Sequence, residues 1–265
     1  MGGPPTKPAL GRFSQHGATD DEVEEAVGEN AEFDELDARM RGCWDDILSQ
    51  SPLIRTVMGG CQDRRLYALY LIETFQYTKH NAQNQALVGV RLTPGHTTYL
   101  QFCLRHAAEE AGHEQMALHD LKSIGVDPAR VTALVPMPAT EVLVAYLYWI
   151  SIQGNPVQRL GYSYWAENSY HFIGPVLKAI QTQMKLDPKQ MTFFVEHATI
   201  DTRHADQVKQ MIRRGAKTAQ DWSDIGRVLE QSLRLTGNIL TDVHREYERL
   251  RGGGPSAYDF LNTLA

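Results

Sequence analysis

From Ala31 onward the apolar residues return every three or four positions, the spacing that turns one side of an α-helix toward a core. In the first such stretch Phe33, Leu36, Met40, Cys43, Trp44 and Ile47 fall on one stripe. Ser51-Pro52 then opens a short segment that Gly59-Gly60 closes. Proline is favoured in the first turn of a helix and glycine just past its end. A long helix is predicted over 63–88, with Leu66, Leu69, Tyr70, Ile72, Phe75 and Tyr77 giving it a broad apolar surface. Thr93-Pro94-Gly95 makes a turn, and the next helix runs over 96–125, closing at Gly125. Asp127-Pro128 begins a connection into EVLVAYLYWISIQ, which is apolar on nearly every side and is therefore expected in the middle of the fold rather than at its rim. Asn155-Pro156 and Asp187-Pro188 open two further helices, the second ending near Gly215, and Trp222 to Leu250 forms the last.

No stretch alternates convincingly with period two, and no internal repeat is visible. The pattern predicts an all-α domain over residues 32–252, a bundle of seven or so helices around one core. Residues 1–31 have the composition of a disordered tail: MGGPPTKPALGR has little to bury, and DDEVEEAVGEN is an acidic run. Residues 253–265 read as a flexible hinge and a short C-terminal tail. Its Tyr258, Phe260, Leu261 and Leu264 could dock on their own domain or on a second subunit of a homodimer.

Composition narrows the function classes. A net charge of −6 makes nucleic acid a poor partner. The three cysteines, Cys43, Cys61 and Cys103, lie far apart without a C-x-x-C, which fits a reducing cytoplasm and excludes a zinc knuckle. The N-terminus has no apolar signal core, and the longest apolar run, Val142 to Ile152, is too short to span a bilayer. A soluble cytoplasmic protein with no membrane partner is expected.

The candidate chemistry begins with His197-Ala-Thr-Ile-Asp201-Thr-Arg-His204. Positions i, i+4 and i+7 of a helix share one face, so H-x3-D-x2-H aims two imidazoles and a carboxylate the same way. A solvated helix face carrying incidental histidines is the ordinary explanation, and what lies upstream decides against it. Glu73 interrupts the apolar surface of its helix, where an unpaired carboxylate is costly, although an arginine or tyrosine could partner it. His80 shares that face. Glu110-Ala-Gly-His113 is an E-x-x-H step, weak alone, that puts a carboxylate and an imidazole on adjacent turns; Glu109 and Glu114 are expected to face water. Gly112 there is costly within a helix, explained by a close backbone approach or by simple tolerance. Glu167 lies among tyrosines, whose hydroxyls or a metal would satisfy it.

Together Glu73, Glu110, His113, Glu167, His197, Asp201 and His204 come from four helices, and two Fe(II) ions with bridging carboxylates would use the set fully. Oxygen and nitrogen ligands suit iron or manganese, and the lack of thiolates argues against structural zinc or an iron–sulfur cluster. A ferritin-like di-iron bundle needs two E-x-x-H steps. Here the residue three after Glu167 is Tyr170, and H-x3-D-x2-H stands where the second step would be.

That order is a glutamate, an E-x-x-H, a lone glutamate after Pro156-Val-Gln-Arg-Leu160-Gly161-Tyr162, then H-x3-D-x2-H. Over about residues 60–215 it resembles the haem-oxygenase-like diiron oxidases and oxygenases, a family of iron-containing redox enzymes. The resemblance implies a haem-oxygenase-like helical bundle, two Fe(II) ions, O2 as co-substrate and an external electron donor such as a reductase. It implies His113, Glu167, His197, Asp201 and His204 as ligands, completed by Glu73 and Glu110, with Glu109 as the alternative to Glu110. The site that uses Asp201 is expected to be the more loosely held.

Family members N-oxygenate amine or guanidine nitrogens, desaturate or cleave aliphatic amino acids, or decarboxylate fatty acids. Members with an extra carboxylate resemble the N-oxygenases. A set of seven ligands therefore points to N-oxygenation of a small polar amine or amino-acid derivative, with oxidation of C–H or C–C bonds in an aliphatic amino acid or fatty acid as the alternative. Arg105 and Arg203 would hold a substrate carboxylate only if they faced inward. Three other readings stand beside these. A haem-degrading oxygenase would have no carboxylate cluster. A thiaminase-like hydrolase would use a nucleophilic cysteine, and Cys103 lacks an obvious partner set. A non-catalytic metal- or partner-binding helical protein would stay folded without iron and never consume O2.

Overall fold

A computed structural model describes residues 20–93 and 95–264, and the side chains of 31–93, 95–196 and 203–264. Among these residues the chain is all-α, with twelve α-helices and no strand. They are α1 Asp20–Gln50, α2 Pro52–Met58, α3 Arg64–Thr78, α4 Asn81–Val90, α5 Thr97–Glu110, α6 Glu114–Ser123, α7 Pro128–Thr132, α8 Pro138–Ile152, α9 Leu160–Glu167, α10 Tyr170–Gln183, α11 Thr192–Gly215 and α12 Ala219–Arg251. Short 3-10 turns occupy Pro156–Arg159, Pro188–Gln190 and Asp259–Leu264. The expected N-terminal tail falls on residues 1–19, outside the described residues, and on the first turns of α1.

The Ser-Pro, Asp-Pro and Asn-Pro signals set the helix starts. Ser51, Asp127 and Asn155 each accept a hydrogen bond from a backbone N–H two or three residues on, at 3.4, 2.9 and 3.2 Å. Thr218 and Asp221 form a reciprocal capping box on α12. Each such cap contributes about 1 kcal/mol. The α1 stripe read from the sequence, Phe33 through Ile47, is wholly buried.

The count exceeds seven because three of the long predicted helices are each broken in two and because the short connecting segments α2 and α7 are themselves helical. The helix over 63–88 breaks at Lys79–His80 into α3 and α4, and that over 96–125 breaks at Ala111–His113 into α5 and α6. The helix after Pro156 breaks at Asn168–Ser169, between α9 and α10. At the second break Ala111 is extended (φ −67°, ψ 116°) and Gly112 adopts φ +99°. That conformation is in the left-handed region that favours glycine. Nothing lies within 4 Å of a Cβ added at Gly112, so its reason is the backbone reversal and not a close approach.

The middle of the bundle is α12, which packs on α1, α2, α3, α8 and α9. The crossing with α9 is tight at Gly161, where a Cβ would lie 2.1 Å from the Ile225 carbonyl oxygen and 2.8 Å from the Leu229 nitrogen. The expectation for α8 is corrected. Leu143, Leu147 and Ile150 are buried, but Val142, Trp149 and Ile152 are 53%, 50% and 47% exposed. One stripe seats α8 on α12 and the opposite stripe faces outward, so α8 lies at the rim. Apolar atoms contribute much of any protein surface, and hydrophobicity on all sides did not require burial on all sides.

The C-terminal segment docks on its own chain. Leu261 is fully buried and Tyr258 nearly so, and the guanidinium of Arg130 lies 4.5 Å above the Phe260 ring. The Tyr258 hydroxyl donates to Glu73 Oε1 at 3.0 Å, and the Met137 backbone N–H donates to Glu73 Oε2 at 3.0 Å. Burial pushes the Glu73 carboxyl up, opposed by Thr140, Met137 and Tyr258. Glu73 thus joins α3, the start of α8 and the C-terminal segment. Glu73→Ala is expected to destabilise the chain by about 1–3 kcal/mol, the cost of leaving buried donors unpaired. Chemical denaturation would measure this, and the iron content of the folded variant should match wild type.

Candidate metal centre

α5 carries His106, Glu109 and Glu110 on its last turns, α9 ends on Glu167, and α11 carries His204. One ligand atom each from His106, Glu110, Glu167 and His204 lie within 4.8 Å of one another. Glu167 stands between the imidazoles: Oε1 lies 3.3 Å from His106 Nε2 and Oε2 lies 3.5 Å from His204 Nδ1. Glu110 Oε1 lies 3.6 Å from His204 Nδ1 and 3.5 Å from His113 Nδ1. The two rings are 4.9 Å apart at 62°, and Phe102 stacks on His106 at 5.3 Å.

These atoms converge without pairing. Both ring nitrogens of His106 and Nδ1 of His204 are buried yet lack a well-formed hydrogen bond. Buried polar atoms are nearly always bonded, and a cation among them would satisfy one nitrogen of each imidazole at once, His106 Nε2 and His204 Nδ1 being the ones that face Glu167. The electrostatics agree. Burial by itself would raise the Glu167 carboxyl, but His106 and His204 outweigh it and hold it at about 2. Burial would lower His204, but Glu167, Glu110 and Glu109 raise it. Glu110 raises His113 against an opposing burial effect.

Glu109, expected to face water, instead lies 3.0 Å from His204 Nε2. With Nε2–H donating to Glu109, the lone pair of Nδ1 faces Glu110 and Glu167. A carboxylate behind a ligating imidazole fixes its tautomer and ring orientation in just this way.

Of the residues singled out in the sequence, the structure therefore brings Glu110, His113, Glu167 and His204 together. Glu110 and His113 meet across the α5–α6 break rather than along one continuous helix. Glu73 is not in the group, its carboxylate being engaged by Met137 and Tyr258. His80 is turned to the Tyr148 hydroxyl, 3.0 Å from its Nδ1. The side chains of His197 and Asp201 lie outside the described residues. His106 was missed. Its signal was the spacing His106-x3-Glu110, which places an imidazole one turn before the E-x-x-H glutamate on the same face.

A cavity of about 140 Å³ opens beside the group. His106, Glu110, His113 and Glu167 line it, as do Tyr70, Tyr77, Tyr162 and Tyr170. Much of the remaining wall is aliphatic, including Leu53, Ile54, Ile173, Val176, Leu177 and Leu240. Arg105 is exposed and Arg203 points to Glu109 at 3.6 Å with 64% of its side chain exposed, so neither lines the cavity. Cys103 is fully buried outside the cavity wall, and burial pushes its thiol up to about 11. A protonated, enclosed thiol is inert, which removes Cys103 as the nucleophile of a cysteine hydrolase.

An all-α bundle that converges carboxylates and imidazoles on one point offers a ligand set for a metal ion. The chain belongs to the iron-containing redox enzyme family, whose profile matches residues 68–236. It is 52% identical to a crystal structure from Shewanella denitrificans OS217, described as a domain of unknown function with a heme oxygenase-like fold. The match has a TM-score of 0.83 and covers 85% of this chain and 97% of that one. The fold is thus haem-oxygenase-like. TenA homologues share it at much lower identity. One from P. horikoshii OT3 is 10% identical with TM-score 0.63, covering 81% of this chain and 98% of that one. Another from Pseudomonas syringae pv. tomato DC3000 is 13% identical with TM-score 0.67, covering 81% and 93%. At those identities the likeness is one of fold. No curated protein matches the chain. Among the described residues, no helix is long and apolar enough to cross a membrane.

Proposed function

We propose that the chain is an O2-dependent oxidoreductase that uses two ferrous ions to oxidise a small organic molecule in the cavity beside them. The observation that carries this reading is the buried convergence of His106, Glu110, Glu167 and His204, with imidazole nitrogens left unsatisfied. The donor set, oxygen and nitrogen without sulfur, suits iron. Glu110, His113, Glu167 and His204 would hold the ions, together with His106 and with His197 and Asp201, which share the helical register of His204 on α11. When bound, iron supplies the activation of O2, with electrons from an external donor.

The chain's own residues do the rest. Glu110 and Glu167 bring negative charge that offsets the cations in a low-dielectric site. Glu109 orients His204. The aliphatic wall excludes water and seats the substrate. That wall also favours one chemistry over another. The expectation of N-oxygenation rested on an extra carboxylate, Glu73, which is committed elsewhere, and on a polar substrate. A cavity whose apolar wall is part aliphatic and part aromatic supports oxidation of C–H or C–C bonds in a molecule with a hydrocarbon body.

The test is to load the metal-free protein anaerobically with Fe(II), count the iron bound, and follow O2 uptake and the visible spectrum after rapid mixing. Close to two irons per chain and an O2-dependent absorbance change are expected. Only trace iron binding, or no reaction with O2 in the presence of any candidate substrate, would overturn the reading in favour of a non-catalytic helical protein.

A further inference from the structure

The outward stripe of α8 has a pattern of its own. Val142, Ala145, Trp149 and Ile152 recur every three or four residues, so they form one straight row along the helix. All four are exposed, and they lie opposite Leu143, Leu147 and Ile150, which seat α8 on the bundle. The Tyr146 ring flanks that of Trp149, with 6.2 Å between centroids. Glu141 is the one charged residue between Arg130 and Arg159. The chain as a whole carries a net charge of −6, which drives two copies apart, yet this row carries none.

The row is complementary to itself. A two-fold axis crossing the helix at the level of Leu147 makes two copies of α8 antiparallel. It sets Ala145 against Trp149 of the second copy and Val142 against Ile152, so that the largest side chain meets the smallest, twice. The same axis brings Glu141 level with Gln153 of the second copy, a carboxylate beside an amide that can donate to it. The two Glu141 carboxylates are then about 18 Å apart along the helix, beyond the screening length of about 8 Å. Other arrangements lack this fit. Parallel helices would place Glu141 against Glu141. A shift of one turn in the antiparallel pair would set Trp149 against itself or against Glu141.

We infer that the outward stripe of α8 is the contact between two copies of this chain, paired antiparallel about that axis with Trp149 of each seated on Ala145 of the other. An anionic lipid surface would call for lysines or arginines, and a charged protein for an opposing charge; between Arg130 and Arg159 the chain has neither, apart from Glu141. The apolar C-terminal residues are docked elsewhere on their own chain, Leu261 being fully buried. The 15 residues of α8 make a rod only about 22 Å long. One such crossing buries less than the roughly 800 Å² per partner of a tight complex, so the dimer forms and dissociates in the micromolar range. The inference goes beyond the functional reading above and does not depend on iron.

The test is sedimentation velocity on the full chain from about 1 to about 200 µM. Wild type should pass from monomer to dimer and stop there. Ala145→Glu and Trp149→Lys each change an exposed position, twice over in a symmetric pair. Each alone should weaken dimerisation by at least about thirtyfold. Mixed in equal amounts, the two variants should dimerise again. The mixed pair keeps one native Trp149–Ala145 contact and gains one Lys–Glu contact in place of the other. Restoration on mixing also shows that both variants are folded. Wild type that stays monomeric throughout would overturn the inference, and its flotation with neutral phosphatidylcholine vesicles would then give the stripe to a membrane surface. Dimers that survive both single changes would place the contact elsewhere. Loss in each variant without recovery on mixing would refute the antiparallel pairing. Assemblies that keep growing beyond the dimer would refute the two-fold axis.

Discussion

Glu167→Ala is expected to leave a folded chain that has lost its iron. Glu167 is the one carboxylate that approaches both imidazoles, His106 at 3.3 Å and His204 at 3.5 Å. His106 and His204 hold it ionised against the cost of burial, so it is ready to face a cation at neutral pH. Removing an outer-shell partner of a metal ligand already costs about 10–100-fold in affinity. Removing a carboxylate placed between two ligands should cost more than about 100-fold. The side chain contributes little to the apolar core, so circular dichroism should show wild-type helix content while colorimetric iron analysis after desalting finds almost none. Glu73→Ala is the contrast, the carboxylate there being even more deeply buried but bonded to Met137 and Tyr258 rather than to imidazoles. If Glu167→Ala kept its iron, or Glu73→Ala lost it, the assignment of the centre would be wrong.

Gly161→Ala should be the most damaging glycine-to-alanine change among the described residues. The added Cβ would meet the Ile225 carbonyl oxygen at 2.1 Å and the Leu229 nitrogen at 2.8 Å. Both atoms belong to the backbone of α12, so no side chain can rotate away, and α9 must move off the central helix. Overpacking typically costs about 1–3 kcal/mol, and a backbone clash belongs at the top of that range or above it. For a chain of this size about 3 kcal/mol lowers the unfolding midpoint by roughly 6–12 °C. Because α9 carries Glu167 at its end, iron affinity should fall with stability. Gly42→Ala provides the control. Nothing lies within 4 Å of its Cβ position on exposed α1, so replacing a helical glycine there should gain up to about 1 kcal/mol. A Gly161→Ala variant as stable as Gly42→Ala would show that α9 and α12 are not so closely packed.

Periodicity revealed the helices well because burial in a bundle is written every three or four residues. The α1 stripe and the core face of α12 were legible for that reason. Register along a helix also placed Glu110, Glu167 and His204 on inward faces, and those faces do meet. It could not say which inward face meets which. Glu73 is as buried as any ligand, yet its neighbours are Met137 and Tyr258, residues 64 and 185 positions away that only the fold brings near. The burial of Arg159, which is 2% exposed, was invisible for a related reason. An arginine is usually a surface residue, and nothing local marks one that Asn84, 75 positions earlier, draws inside. Breaks within helices were the least legible feature. Only the one at Gly112 had a residue that called for it, and even there the sequence left a close approach or simple tolerance as its reason.

Those breaks have a consequence for how such a centre could be retuned. Glu110 and Glu167 are the last residues of α5 and α9, so both carboxylates hang from joints rather than from the shafts of the bundle. Mid-shaft, the direction of a side chain is set by the whole rod and can change only if the rod rotates against its neighbours. At a joint the last turn lacks the onward hydrogen bonds that hold the shaft, and the torsions just downstream, here the extended Ala111, Gly112 at φ +99°, and Asn168 at φ −103°, ψ 2°, decide how the next helix leaves and so what packs against the carboxylate. The angle at which each carboxylate is presented is therefore adjustable at residues that are neither ligands nor core. A bundle built this way can explore new metal geometries, and with them new reactions, while its helices and their packing stay as they are.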